Sequence, residues 1–283
     1  MKIVSFKVSN ELRYGLVSGE GVIDLTARLA SNYPTINRLL DGGLSAAEKF
    51  VNQAADFSLN GLEFAPVVPW PEKIVCAAVN YDDHRIEAGR DRTENPVVFL
   101  RLARAQVGHR QPMVVPALSH HLDYEGEIAV VIGKTGRHIS KQRAMDHVAG
   151  YALYNEGSVR DWQRHSSQFT AGKNWEGTGA FGPWLVTRDE IADYRTTQLV
   201  TRLNGRELQK TTADLMIFSI EHLIAYISTF ITLVPGDVIA TGTAGGVGFK
   251  RNPPIFLTPG DICEVEASGI GLLSNGIKAE TAG

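Results

Sequence analysis

The strongest constraint on this chain is a succession of short β-type runs without long regular strand–helix alternation. Residues 74–79, 97–100, 128–133, 197–203, 238–241 and 262–267 are each apolar or rich in β-branched side chains, and several are bounded by Gly, Pro, Asn or Asp. A doubly wound sheet needs long strand–helix alternation, so the pattern predicts a β-rich α+β fold instead. One amphipathic helix stands out. Ile220, Leu223, Ile224, Ile227 and Phe230 recur at helical spacing and should line one buried stripe of core. Residues 233–239 and 257–263 resemble each other, each carrying a Pro-Gly-Asp turn that feeds a strand. Two copies are too few for a repeat fold.

Three prolines fall within six residues in Pro66-Val67-Val68-Pro69-Trp70-Pro71, a rigid extended connection in which few helices or central strands continue. A domain boundary is expected there. Residues 1–68 then form a small N-terminal α/β domain, opening with a hairpin unit over residues 2–25 that turns at Ser18-Gly19-Glu20-Gly21 and continues into an Ala-containing helical stretch. Residues 69–283 form the second, larger domain. At 283 residues the chain is long enough to bury a large core, and a formal charge of −3 leaves no basic excess for nucleic acid or anionic membrane. A small-molecule partner is the default. Cys76 and Cys263 lie in apolar runs and read as buried thiols in a reducing compartment. Lys2, Lys7, Glu11 and Arg13 break any signal-peptide core, and the most apolar stretch, 217–234, is interrupted by Glu221 and His222. A cytoplasmic protein with no membrane span is expected.

The chemistry is concentrated in acidic residues. Glu125 and Glu127 stand two apart at the head of a strand and project to one face with Ala129 and Val131. If that face is buried, the two carboxylates repel each other and need a cation or a raised pKa; if the strand end emerges into solvent, they cost little. Glu156, Arg160 and Gln163 follow at i, i+4 and i+7, which on a helix would gather a carboxylate, a guanidinium and a carboxamide on one face, although a surface Glu–Arg pair has the same spacing. His84 and Glu87 stand at i and i+3 and can hydrogen-bond, an arrangement that suits a general base. They lie in a charge-rich segment, 81–95, that follows a strand and suits a mobile lid. No Gly-x-Ser-x-Gly elbow occurs, and adjacent His120 and His121 lack a spaced ligand set for zinc.

In this order the pieces resemble the fumarylacetoacetate hydrolase family, over most of the chain from Lys73 to Gly271. The residues carrying the likeness are Asn80-Tyr81 with His84, Pro96 with Phe99, Glu125-x-Glu127, Gly150-Tyr151, Arg160-Asp161 with Gln163, and Gly172-Lys173. Gly182-Pro183, Asn204-Gly205, Pro235-Gly236-Asp237, Thr241-Gly242-Thr243 and Gly246-Val247-Gly248 continue it. The resemblance implies a mixed β-sandwich roll as catalytic domain, a homodimer, and Mg²⁺ or Mn²⁺, with Ca²⁺ a third candidate, on three carboxylates. By position these are Glu125, Glu127 and Glu156. Three departures matter: Glu156 stands where the family usually has Asp, leaving a role open for Asp123; Arg101 replaces a lysine; and Ala244 replaces a proline.

The family likeness further implies an α-keto acid substrate chelated through its carboxylate and keto oxygens. On this reading the His84–Glu87 pair activates a water that attacks an acylpyruvate, with Lys173 helping to hold the pyruvate enolate. Tyr81, Arg160, Gln163 and Thr243 position the substrate. Without the likeness, Lys173 reads as a loop lysine and Thr243 as a turn residue. Arg85, Arg90, Arg92, Arg101, Arg104, Arg160, Arg164 and Lys173 form a cationic surplus that favours a dicarboxylic substrate such as maleylpyruvate or fumarylpyruvate, from aromatic-compound catabolism. Oxaloacetate decarboxylation and isomerisation of a 2-hydroxyhepta-2,4-diene-1,7-dioate-type substrate are alternatives on the same site. A non-catalytic ligand-binding protein comes third.

Overall fold

The structure is a computed structural model that describes residues 1–281. It is strand-rich α+β, built on one 12-stranded sheet and one 5-stranded sheet. The centre of the large sheet runs Gly179–Thr187, Val148–Asn155, Gly126–Ile132, Val238–Ala240, Ile74–Ala78 and Val97–Arg101, antiparallel except where Val238–Ala240 meets Ile74–Ala78. The smaller sheet orders Arg206–Thr212, Gln198–Leu203, Ile262–Ala267, Gly271–Ala279 and Met113–Val115. Every short β-type run in the sequence therefore becomes a strand.

The strand Gly126–Ile132 is buried on both faces, which explains its nearly unbroken apolar sequence. Ile128, Val130 and Ile132 enter a core shared with Leu199, Val265 and Leu273 of the smaller sheet. Ala129 and Val131 enter a second core with Cys76, Ala152 and Tyr154. Each such aliphatic side chain contributes about 1.5–3 kcal/mol by leaving water. The helix Ile220–Phe230 is capped by Ser219, whose Oγ accepts from the His222 amide at 3.3 Å, and it buries Ile220, Leu223, Ile224 and Ile227 in the first core. Leu223→Ala would cost about 2–5 kcal/mol through the cavity it leaves. Phe230, expected on the stripe, is 54% exposed at the fraying end and stacks on Tyr226 instead.

The N-terminal strands extend the same large sheet: Lys2 and Ile3 pair with Val186 and Leu185. Ile3, Leu39 and Leu40 share the second core with Ala129 and Val131. The proline-rich connector is packed, since the Ser5 hydroxyl donates to Val67 O at 2.8 Å and the Val67 amide to Phe181 O at 3.3 Å. Both cysteines are buried free thiols, and no described helix is long and apolar enough to cross a membrane.

Candidate active site

Backbone constraints bring the three glutamates together. Gly126 lies so close to the smaller sheet that a Cβ there would sit 2.0 Å from Thr201 Oγ1, so only glycine fits between Glu125 and Glu127. The neighbouring strand ends at Asn155, whose Oδ1 accepts from the Glu125 amide at 3.1 Å, and the Glu156 amide donates to Glu125 O at 2.8 Å. Glu156 is consequently not on a helix, as its spacing from Arg160 suggested. A Cβ at Gly157 would meet Thr178 O at 1.7 Å, Ser158–Val159 pairs with Leu122–Asp123, and the helix covers only Arg160–Gln163.

Carboxylate oxygens of Glu125, Glu127 and Glu156 all lie within 4.8 Å of one another, and the residues are 3%, 1% and 2% exposed. The Lys173 ammonium bridges Glu125 Oε2 and Glu156 Oε2 at 2.7 Å each. Arg160 binds Asp123 at 2.9 Å and Glu125 at 2.5 Å. Asp123 also accepts from the Gly248 and Phe249 amides, and Glu127 Oε2 from the Gly242 amide at 2.8 Å. Four buried carboxylates therefore share two buried cations within ion-pair distance, while a third, Arg101, acts on Glu156 from farther away. Burial raises the Glu125 pKa, but Arg160 and Lys173 overcome it and hold the group well below its usual range. Burial, reinforced by the Glu156 and Glu125 charges, pushes Glu127 well up. Burial pulls Lys173 down, yet Glu125 and Glu156 raise it overall and keep it an ammonium. Glu156 Oε1 is buried without a partner. Oxygen-only donors, an orphaned carboxylate oxygen and more carboxylates than cations in contact with them fit one divalent cation of the Mg²⁺ or Mn²⁺ type.

The glutamates open into a cavity of about 570 Å³ that is also lined by His84, Phe99, Arg160, Gln163, Arg164, Lys173, Thr243 and Phe249. His84 sits on the helix Asp82–Ala88, which Gly89 closes at φ 66°, and its Nδ1 lies 3.3 Å from Glu87 Oε2. Glu87 also accepts from the Gly246 amide at 3.1 Å, which ties this helix to the loop after Thr243. Burial raises the Glu87 pKa, but the His84 and Gly246 hydrogen bonds outweigh it and lower it. Gln163 Oε1 accepts from Arg160 at 3.0 Å. The Thr243 hydroxyl donates to Gly126 O at 3.0 Å and accepts from Gln209, so its proton is committed to the backbone. Tyr81 is 1% exposed and does not line the cavity.

Of the cations grouped near the site by sequence, Arg90, Arg160, Arg164 and Lys173 line the cavity. Arg85 and Arg92 turn to Asp82, and Arg101 is buried against Gly157 O at 2.9 Å. Sequence reasoning missed Lys250, Phe249, Asn155 and Gln209. Gln209 accepts from the Gly126 amide and donates to Thr243, bracing both from the smaller sheet. No local pattern marks a polar residue that acts across a sheet interface. Lys250 and Phe249 adjoin the Gly246-Val247-Gly248 motif, which was the available signal. His121 contacts Asp161 at 3.3 Å, away from the triad. Among the described residues, the triad is the one group of three or more His, Cys, Asp or Glu placed to hold an ion.

Known proteins resemble this chain over nearly its whole length. The sequence family described as fumarylacetoacetate (FAA) hydrolase C-terminal matches residues 73–278. The mitochondrial oxaloacetate tautomerase FAHD2B of Homo sapiens is 37% identical over 97% of this chain and 91% of its own. The oxaloacetate tautomerase YisK of Bacillus subtilis is 37% identical over 98% of this chain and 100% of its own. The maleylpyruvate hydrolase of Sphingobium sp. SYK-6, solved with manganese(II) and pyruvate, superimposes with a TM-score of 0.83 at 29% identity, covering 99% of this chain and 100% of that one. With these likenesses spanning the strands and loops that carry the glutamates, His84 and Lys173, the chain belongs to the fumarylacetoacetate hydrolase family.

Proposed function

We propose that this protein is a divalent-cation-dependent enzyme that interconverts the keto and enol forms of an α-keto diacid, with oxaloacetate as the leading substrate. The observation that carries the reading is the buried glutamate triad, which with Asp123 puts four carboxylates against the two cations in contact with them, opening into the same cavity as His84. Held by Glu125, Glu127 and Glu156, the cation supplies positive charge where enol formation builds negative charge on the substrate oxygens. His84, braced by Glu87, takes the proton from carbon 3 of the keto form. Lys173, kept protonated by its two glutamates, hydrogen-bonds the developing enolate oxygen, which takes a proton from solvent as His84 gives its proton up to solvent, so both side chains end the turnover as they began. The Gln163 amide, oriented by Arg160, has N–H groups to offer a substrate carboxylate. The names and 37% identities of the two oxaloacetate tautomerases support this choice over the acylpyruvate hydrolysis to which the sequence first pointed.

Acylpyruvate hydrolysis is the second reading, favoured by the roughly 570 Å³ cavity, which is large for a four-carbon acid, and by the likeness to maleylpyruvate hydrolase. His84 and Glu87 would then activate water. One assay set separates the readings: enol-oxaloacetate and a panel of acylpyruvates, each with Mg²⁺, Mn²⁺ or chelator, followed by enol absorbance, carbon dioxide and pyruvate. Tautomerisation consumes enol with no carbon lost. Carbon dioxide with pyruvate would mean decarboxylation, and pyruvate plus a second acid from maleylpyruvate alone would mean hydrolysis. Activity that survives complete metal removal would defeat the triad's assignment.

A further inference from the structure

The cavity wall carries cations that have no carboxylate within 4.0 Å among the described residues. Phe249 lines the cavity, and three cations surround its ring: Arg160 Cζ at 4.3 Å from the centroid, Arg164 Cζ at 5.2 Å and Lys250 Nζ at 5.3 Å. Arg160 is committed to Asp123, Glu125 and Gln163. Arg164 and Lys250 have no carboxylate within 4.0 Å among the described residues, although both line the cavity. The ring itself is anchored, because the Phe249 amide donates to Asp123 Oδ2 at 3.1 Å, the oxygen that Arg160 also binds. An aromatic face holds a guanidinium and an ammonium by its quadrupole while leaving their N–H donors directed outward.

Charge sets the occupant. One dication balances the four buried carboxylates against Arg160 and Lys173, the cations in contact with them, and Arg101, which acts on Glu156 from beyond ion-pair distance, leaves no negative charge over. Arg164 and Lys250, with Arg90 a third cation of the cavity lining that has no carboxylate within 4.0 Å among the described residues, then leave the wall positively charged, which favours a substrate carrying more than one negative charge. We propose that Arg164 and Lys250, held over the Phe249 ring, receive the second carboxylate of a dianionic α-keto acid and set the preference for diacids over monoacids. This rests on the keto-acid reading above and extends it to named specificity residues. A guanidinium offers paired donors to a carboxylate, and exposed cations at a cavity rim also draw anions in.

The test is calorimetric titration of the Mn²⁺-loaded protein with 2-oxoglutarate and with 2-oxopentanoate, which has the same chain length and lacks the second carboxylate. The wild type binds 2-oxoglutarate about tenfold or more tightly, as expected for charge-assisted hydrogen bonds. Arg164→Gln and Lys250→Gln each shrink that advantage, and the double variant removes it while 2-oxopentanoate affinity stays unchanged. Phe249→Leu, which keeps both cations and removes their platform, shrinks it as well. Equal affinity for the two acids in the wild type, or equal losses for both in the variants, overturns the proposal and leaves the keto-acid reading standing. If neither acid binds the loaded wild type, the keto-acid reading itself fails and takes the proposal with it.

Discussion

Two buried clusters of opposite charges lie in this molecule, and they are built to different rules. Lys73 and Asp237 form an ion pair at 2.7 Å, with side chains 6% and 0% exposed. Asp237 also accepts from the Lys73 and Val234 amides, so its oxygens are satisfied, and Lys73 additionally reaches the exposed Glu72 at 2.9 Å, so the buried cation and the buried carboxylate match one to one. The pair fastens the Pro235-Gly236-Asp237 turn where Val238 joins Ile74 in the sheet. The glutamate cluster is as deeply buried but unbalanced, with four carboxylates to two cations in contact with them and an oxygen of Glu156 left without a partner. Balanced buried charge is structural here. Unbalanced buried charge has a ligand to meet.

Substituting Glu127 should separate the two kinds of cluster most sharply. Glu127→Gln is expected to abolish Mn²⁺ binding and lower turnover by several orders of magnitude. Thermal unfolding in chelator should nevertheless match or exceed the wild type, because burial and the neighbouring Glu156 and Glu125 already disfavour charge on this residue. Retained tight Mn²⁺ binding would break the comparison. His84 comes next: His84→Ala should cost about 10²–10⁴-fold in kcat with Mn²⁺ affinity unchanged. A loss of Mn²⁺ affinity instead would make His84 part of the cation site. In the other cluster, Asp237→Ala removes the buried partner of Lys73, leaving it only the exposed Glu72, and takes the acceptor from the Val234 amide; it should destabilise the fold by about 1–3 kcal/mol, with activity per folded molecule preserved. Unchanged stability in denaturant titrations would mean that the pair is not the fastening argued here.

What the sequence disclosed follows the same division. Strand runs were legible because burial on both faces writes continuous apolar stretches, and the helix Ile220–Phe230 because its stripe is periodic. Glu125-x-Glu127 and His84-x-x-Glu87 were legible because each is a local pattern. Glu156 was placed by position, but the end of regular structure at Gly157 was not legible, since the close approach of Thr178, just ahead of the strand Gly179–Thr187, comes from more than twenty residues away. The role of Thr243 was obscured similarly: its hydroxyl is committed to Gly126 and Gln209, partners that only the folded sheets bring near. Contacts across sheets leave no local signature. Charge balance leaves none either, because Arg101 and Arg160 look alike in sequence, yet only Arg160 reaches the cavity.

A buried group that escapes charge altogether extends the comparison to its mildest case. His109 is 8% exposed and packs edge-on against Phe64 at 4.8 Å, and its Nδ1 accepts from the Ser274 amide at 3.1 Å. Burial, aided by the adjacent Arg110, lowers its pKa from 6.5 to about 4. The unfolded chain therefore binds a proton between these values while the folded protein does not, so stability is complete above pH 6.5 and declines as pH falls toward 4. The full span is worth about 3 kcal/mol at 1.36 kcal/mol per pKa unit. His109→Asn keeps an acceptor for the Ser274 amide and removes the titration. It should flatten this acid limb by about 2–3 kcal/mol at pH 4.5 relative to pH 7, read by urea denaturation at the two pH values. If both proteins lose the same stability between pH 7 and 4.5, His109 is not held neutral by burial. The acid sensitivity would then belong to the carboxylate clusters alone.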